Sequence, residues 1–198
     1  IIMIIERKEY LEKLIAWKDK QLIKIVTGVR RCGKSMLLEI YRNYLKEHGI
    51  EEEQIISINF EDLDYEELTD YRKLYKYLKK RLIDGKMTYI FLDEIQNVTD
   101  FPKVLDSLYI KKNIDIYVTG SNSRLLSSEF STYLAGRYVA FHIMTLSFRE
   151  YLLFHNVPLA ISASDRKAEF LKYLRMGGFP AIHTANYDYN TIYKIVYD

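Results

Sequence analysis

Val26-Thr27-Gly28-Val29-Arg30-Arg31-Cys32-Gly33-Lys34-Ser35 is the stretch on which the fold turns. Residues 28–35 carry the spacing G-x-x-x-x-G-K-S, which has a physical meaning when it joins a strand to a helix. Both flanks meet that condition. The apolar run 22–27 precedes it, and Leu37, Ile40, Tyr41, Tyr44 and Leu45 follow at helical spacing, with Gly49 as a stop. Glycines let the backbone wrap tightly, so that successive N–H groups face one centre. The start of the next helix adds its partial positive charge. Such a cradle suits the triphosphate of a purine nucleotide, expected to be ATP with Mg²⁺. Lys34 is placed to reach the β- and γ-phosphates, and the Ser35 hydroxyl to ligate Mg²⁺. The expected nucleotide contacts run through Gly28, Arg31, Cys32, Gly33, Lys34, Ser35 and Met36. A chance glycine-rich turn is the competing reading, and the strand and helix around the loop weigh against it.

Working outward, Tyr89-Ile90-Phe91-Leu92-Asp93-Glu94 is an apolar strand ending in two acids. At the carboxyl end of a strand, Asp93 is a candidate to hold Mg²⁺ through water. Glu94 is then the candidate base that deprotonates an attacking water. Two acids after a strand also occur as a plain solvated turn, so this element gains its meaning from the loop. A carboxylate dedicated to water separates the chain from nucleotide kinases, which exclude water. A third element, Ile116-Tyr117-Val118-Thr119-Gly120-Ser121-Asn122-Ser123, ends a strand in short polar residues. Asn122 is the candidate sensor of the γ-phosphate or the water, and Ser123 the candidate cap of the following helix.

Strands are expected at 22–27, 55–60, 89–92, 114–119 and 138–143, with helical segments between them. This alternation predicts an α/β fold, a parallel sheet covered on both faces. One helix is expected from an Asp70 cap through Leu82, with Gly85 closing it; shorter ones fit 101–110 and 124–134. After Ile143 no further strand is evident. The expected boundary therefore lies near residue 145, with a core at 1–145 and a small helical lid at 146–198. Ile192, Ile195 and Val196 keep helical spacing up to Asp198, so the chain is expected to be cut inside its next element.

The 198 residues suffice for one such core, and 48% hydrophobic with 28% charged residues excludes general disorder. Lys and Arg number 29 against 27 Asp and Glu, a formal charge of +2, so the chain as a whole has no pull toward nucleic acid or membrane. The basic face Arg72, Lys73, Lys76, Lys79, Lys80 and Arg81 keeps nucleic acid open as a partner without supporting it; a solvated helix face is the competing reading. The one cysteine, Cys32, rules out an intramolecular disulfide and fits a reducing cytoplasm. No apolar run approaches the roughly 20 residues that span a bilayer. Ile1-Ile2-Met3-Ile4-Ile5 reads as a first strand or an apolar brace, with Met3 as a candidate initiator. His48, His142, His155 and His183 lack metal-ligand spacing.

The three elements resemble the AAA+ branch of the P-loop ATPases, in which an extra strand lies between the loop strand and the Asp-Glu strand. More narrowly, the loop, Phe91-Leu92-Asp93-Glu94-Ile95-Gln96 and Thr119-Gly120-Ser121-Asn122-Ser123 are similar to a group of prokaryotic AAA-type ATPases whose core is normally joined to a C-terminal domain of unknown function. Ala135-Gly136-Arg137-Tyr138, Leu146-Ser147-Phe148-Arg149-Glu150-Tyr151 and Gly177-Gly178-Phe179-Pro180 fit that group too. The resemblance implies a three-layer sandwich with a five-stranded sheet of order 2-3-4-1-5. It implies an arginine finger at Arg137 acting on a neighbouring subunit, hence a homo-oligomer, with a surface or capping arginine as the alternative. It further implies that Pro180 packs on adenine, and that a C-terminal domain is missing. Asn59, near the end of the second strand, is a candidate to hold Glu94 inactive, or simply to close a turn. The expected activity is that of a switch ATPase. Two other readings stay open: a nucleotide-binding regulator with little hydrolysis, and the ATPase part of a DNA-associated or defence system.

Overall fold

The computed structural model describes residues 7–120, 125, 132–184, 191 and 194. They fall into two compact units. The first holds residues 8–28 and 34–143, and the second gathers Arg7, residues 29–33 and the described residues from Met144 onward.

The first unit is built on five parallel strands: β1 (Ile23–Gly28), β2 (Ile55–Asn59), β3 (Thr88–Asp93), β4 (Ile114–Gly120) and β5 (Tyr138–Ile143). Their order is β2-β3-β4-β1-β5, the order expected. Around them lie α1 (Lys8–Ala16), α2 (Lys34–Glu47), α3 (Tyr71–Lys79) and α4 (Phe101–Tyr109). Every residue of β1 is buried, as a central parallel strand covered on both faces requires.

Side chains alternate between the faces with period two. Ile23, Ile25, Ile90, Leu92, Ile116 and Val118 enter one cluster with Leu74 and Leu78 of α3 and Val104, Leu105 and Leu108 of α4. The intervening residues of β3 and β4 form an aromatic group, in which Phe91 stacks on Tyr117 at 4.9 Å and Tyr41 of α2 approaches Tyr117 at 5.0 Å. A buried polar string runs behind these rings. Lys24 pairs with Asp115, the Tyr117 hydroxyl donates to Asp115 at 2.9 Å, and the Asp19 amide donates to the same carboxylate at 2.8 Å. Burial lowers the Lys24 pKa and raises that of Asp115. Their hydrogen bond is what makes two charges tolerable there. Lys24 and Asp115 lie near the amino ends of β1 and β4, so the carboxyl ends are left for chemistry.

One boundary and one helix differ from the sequence reading. Helix α3 is capped by Asp70, whose carboxylate accepts from the Arg72 and Lys73 amides at 3.0 and 2.9 Å, but it ends at Lys79 rather than near Gly85. Leu82 still packs on the core, from the turn beyond the helix. Helix α1 went unread because Leu14 is its one buried residue, too little to print a period. The brace expected at 1–5 and most of the helix expected at 124–134 lie outside the described residues.

In the second unit, α5 (Phe148–Phe154), α6 (Ala163–Met176) and α7 (Pro180–Thr184) follow one another. Phe148, Tyr151, Phe170 and Tyr173 pack as an aromatic knot. The Leu146 amide donates to the Gly178 carbonyl at 2.6 Å, and the Tyr173 hydroxyl donates to the Leu146 carbonyl at 2.7 Å. A Cβ on Gly178 would sit 2.6 Å from that same Leu146 carbonyl, so the close approach of two backbones demands glycine. No helix among the described residues is long and apolar enough to cross a membrane.

Candidate functional site

Strand β1 ends at Gly28, β3 at Asp93 and β4 at Gly120, with β4 lying between the other two. Parallel pairing puts these three carboxyl ends on one edge, where ligands bind in open α/β sheets. The next side chain after β3 is Glu94, held in the left-handed region at φ 55° and ψ 47°. A non-glycine residue there costs about 1–3 kcal/mol. One hydroxyl braces the turn from the neighbouring strand. Thr119 accepts from the Glu94 amide at 3.0 Å and donates to the Asp93 carboxylate. It thus fixes both acids from the neighbouring strand.

Lys34, the first residue of α2, is buried. Its Nζ donates to the Gly28 carbonyl at 3.2 Å and stands 3.8 Å from Glu94 Oε1. The lysine of the loop motif and the acid of the strand motif, 60 residues apart in sequence, therefore meet within ion-pair distance. Gln96 donates to the other Glu94 oxygen, while Gln96 Oε1 is buried without a hydrogen-bond partner. A Cβ on Gly120 would lie 2.3 Å from that Oε1, so glycine at the end of β4 makes room for the glutamine. Asn59 does something else: its Oδ1 accepts from the Glu61 amide at 3.0 Å and closes the turn after β2.

Ser35 and Met36 are exposed on the first turn of α2. Among the described residues no group of three His, Cys, Asp or Glu could hold a metal ion. Ser35 and Asp93 are nevertheless hard oxygen donors, the type Mg²⁺ selects when phosphate oxygens complete its shell. Asn122 and Ser123 lie outside the described residues. Arg137 precedes β5, and its guanidinium is bound to Asp106 of α4 and lies 5.5 Å from the Tyr109 ring. A finger role would require that pair to open.

In the second unit the loop segment turns through Arg31 at φ 65° and Gly33 at φ 100°. The Cys32 amide donates to the Val29 carbonyl at 3.3 Å, and the Cys32 side chain is fully buried; Arg30 and Arg31 are exposed. Pro180, the first residue of α7, comes within 3.7 Å of where a Gly33 Cβ would stand. Arg7, which nothing in the sequence marked, donates from its NH1 nitrogen to the Cys32 carbonyl at 3.1 Å. Its other nitrogens grip Glu150 at 2.7 and 3.2 Å. Burial works against the Glu150 charge, but the Arg7 fork and the Ser147 amide outweigh it and hold the carboxyl below the usual glutamate pKa.

Two histidines complete this unit. His155 Nε2 and His183 Nδ1 are 3.0 Å apart, and His183 Nε2 lies 2.8 Å from the Gly177 carbonyl. A carbonyl can only accept, so His183 carries its proton on Nε2 and takes the His155 N–H on Nδ1. Burial lowers both pKa values, and for His183 the neighbouring ring adds to the effect.

Comparison with known proteins agrees with this fold. The sequence profile of an AAA domain family matches residues 20–152. An uncharacterized Haemophilus influenzae protein is 39% identical over 183 residues, covering 92% of this chain and 45% of the relative. A Methanocaldococcus jannaschii protein is 38% identical over 170 residues, covering 81% of this chain and 36% of its own length. The chain thus spans less than half the length of either relative. Among solved structures, the Walker-type ATPase PABY2304 of Pyrococcus abyssi superposes with a TM-score of 0.61 at 17% identity, over 97% of this chain and 71% of that one. Saccharomyces cerevisiae Hsp104, solved with casein, gives 0.57 at 14% identity, over 92% and 36%; these likenesses carry the fold. With its loop, its Asp-Glu strand and its 2-3-4-1-5 sheet, and with the profile matching more than half of its residues, the chain belongs to the AAA domain family of P-loop ATPases.

Proposed function

We propose that this chain binds ATP with Mg²⁺ and hydrolyses it by Glu94-assisted attack of water on the γ-phosphorus. The observation that carries the reading is the 3.8 Å approach of Lys34 Nζ to Glu94 Oε1. A phosphate-binding cation and a candidate base share one place at the carboxyl edge of the sheet. The backbone of residues 28–35 holds the phosphates, and Lys34 answers the charge of the β- and γ-groups. Ser35 and Asp93 are the residues suited to Mg²⁺, which when bound offsets charge on the phosphate oxygens. Glu94 takes a proton from water as the new oxygen–phosphorus bond forms in line with the departing ADP oxygen. Asn122 senses the γ-phosphate, Pro180 packs on adenine, and Arg137, once free of Asp106, completes the site of a second copy.

Two substitutions test the reading. Lys34→Ala is expected to abolish binding of a fluorescent ATP analogue, and unchanged affinity would refute the loop assignment. Glu94→Gln is expected to keep binding while cutting turnover about 10²–10⁴-fold; unaltered phosphate release would remove Glu94 from its role.

A second reading, a regulator that hydrolyses slowly, draws on the hydrogen bond from Gln96 to Glu94. That bond fixes the carboxylate in one orientation, and a partner able to draw Gln96 away would free it. Turnover measured with and without partners distinguishes the two.

A further inference from the structure

The motif Leu146-Ser147-Phe148-Arg149-Glu150-Tyr151 lies outside the sheet and has no part in the chemistry described so far. Its polar members act together. Ser147 caps α5 by accepting from the Glu150 amide, and the Glu150 carboxylate reaches back to the Ser147 amide at 2.8 Å and its hydroxyl at 3.0 Å. This capping box pins Glu150 in one rotamer. The pinned carboxylate then takes two nitrogens of Arg7, the planar fork for which arginine is suited and lysine is not. A third nitrogen of the same guanidinium donates to the Cys32 carbonyl. Arg7 is only 8% exposed, so water competes little for these bonds.

The Cys32 carbonyl and the Gly33 N–H belong to one peptide plane. In a trans peptide the two point in opposite directions; the chain contains no cis peptide among its described residues. Fixing the carbonyl from behind therefore fixes the direction in which the Gly33 N–H points. A cationic donor on the carbonyl also polarises the peptide and strengthens that N–H as a donor. Gly33 is the residue before Lys34, in the stretch read as the phosphate cradle.

We propose that Arg7, held by Glu150, is a positioning residue for the phosphate loop that aims the Gly33 N–H at the nucleotide phosphates. The inference rests on the phosphate-loop reading above and adds a regulatory consequence. Phosphate affinity depends on an ion pair anchored at the start of α5, so whatever shifts the start of α5 changes how tightly nucleotide is held. Arg7, Cys32, Gly33 and Glu150 all belong to the second unit.

The test compares the whole chain with Arg7→Met/Glu150→Gln, which removes both charges of the pair together, and with Arg7→Lys, which keeps the charge and loses the fork. Affinities for ATP and ADP are measured by titration, and the rate of bound ATP by single turnover, after a cooperative melting transition is verified. The double variant is expected to bind both nucleotides about tenfold more weakly, as loss of one charge-assisted hydrogen bond implies. Arg7→Lys is expected to bind roughly threefold more weakly, and in both variants the loss is expected in affinity more than in the single-turnover rate. Either folded variant binding as tightly as wild type, or losing single-turnover rate at unchanged affinity, overturns the proposal. Should the double variant fail to fold, Arg7→Lys decides alone. A wild-type chain that binds no ATP would instead overturn the phosphate-loop reading, a different failure from the first two.

Discussion

Thr119 carries more of the candidate site than its size suggests. Its hydroxyl is the acceptor for the Glu94 amide and the donor to Asp93, and the residue is fully buried. Thr119→Val keeps the shape and removes both bonds, leaving a half-buried N–H unpaired. The expected cost is about 1–3 kcal/mol of stability, read by denaturant unfolding. Turnover is expected to fall about 10–100-fold, because the acid pair loses its aim, while nucleotide affinity changes less. The sequence showed the acids but not their holder. Thr119 stands 26 residues from Asp93, and it read as one of several short polar residues after a strand. Arg7 is harder still, 143 residues from Glu150. Partners that meet only through the fold leave no periodic trace. Gln96 was quoted within its motif, yet only the Gly120 contact tells why a glutamine fits there.

At the scale of elements, the strands were legible for a reason their burial makes plain. A parallel strand covered on both faces must be a continuous apolar run, and β1, β3 and β4 are buried along almost their whole length. The short helices were less so, since α1 buries one residue and α7 spans only five residues. The join between α5 and α7 through His155 and His183 was invisible for the same reason as Arg7. It predicts a pH response. Folding lowers both pKa values, so the neutral rings are favoured in the folded chain, whereas unfolded imidazoles take up protons near about pH 6.5. Their contribution to stability is therefore complete above that pH and is lost as pH falls through the lowered folded values. Glu169 opposes the loss at His155 and Lys172 favours it. Amide protection factors in α7, taken against the intrinsic exchange rate at each pH, are expected to fall between about pH 7 and pH 5, and His183→Asn to flatten that dependence.

At the scale of the whole molecule, the proposed homo-oligomer depends on Arg137 leaving Asp106. Turnover per chain is then expected to rise with protein concentration as copies associate. Arg137→Ala should remove that rise and lower turnover by about 10³ at high concentration, the scale of a finger supplied in trans. Nucleotide affinity should stay near wild type. ATPase rates read beside sedimentation at each concentration check this; a rise that persists in the variant would return Arg137 to an ordinary surface pairing.

The strand order has a last consequence, for how the protein is made. β1 leaves the ribosome before either of its sheet neighbours, β4 and β5, which are encoded far downstream of it. Until Ile143 has emerged, the strand that leads into the cradle lacks one of its two flanks, and its apolar face must be sheltered by other means. A nascent chain stalled short of β5 should therefore ignore nucleotide, although every residue of the G-x-x-x-x-G-K-S stretch has long been translated.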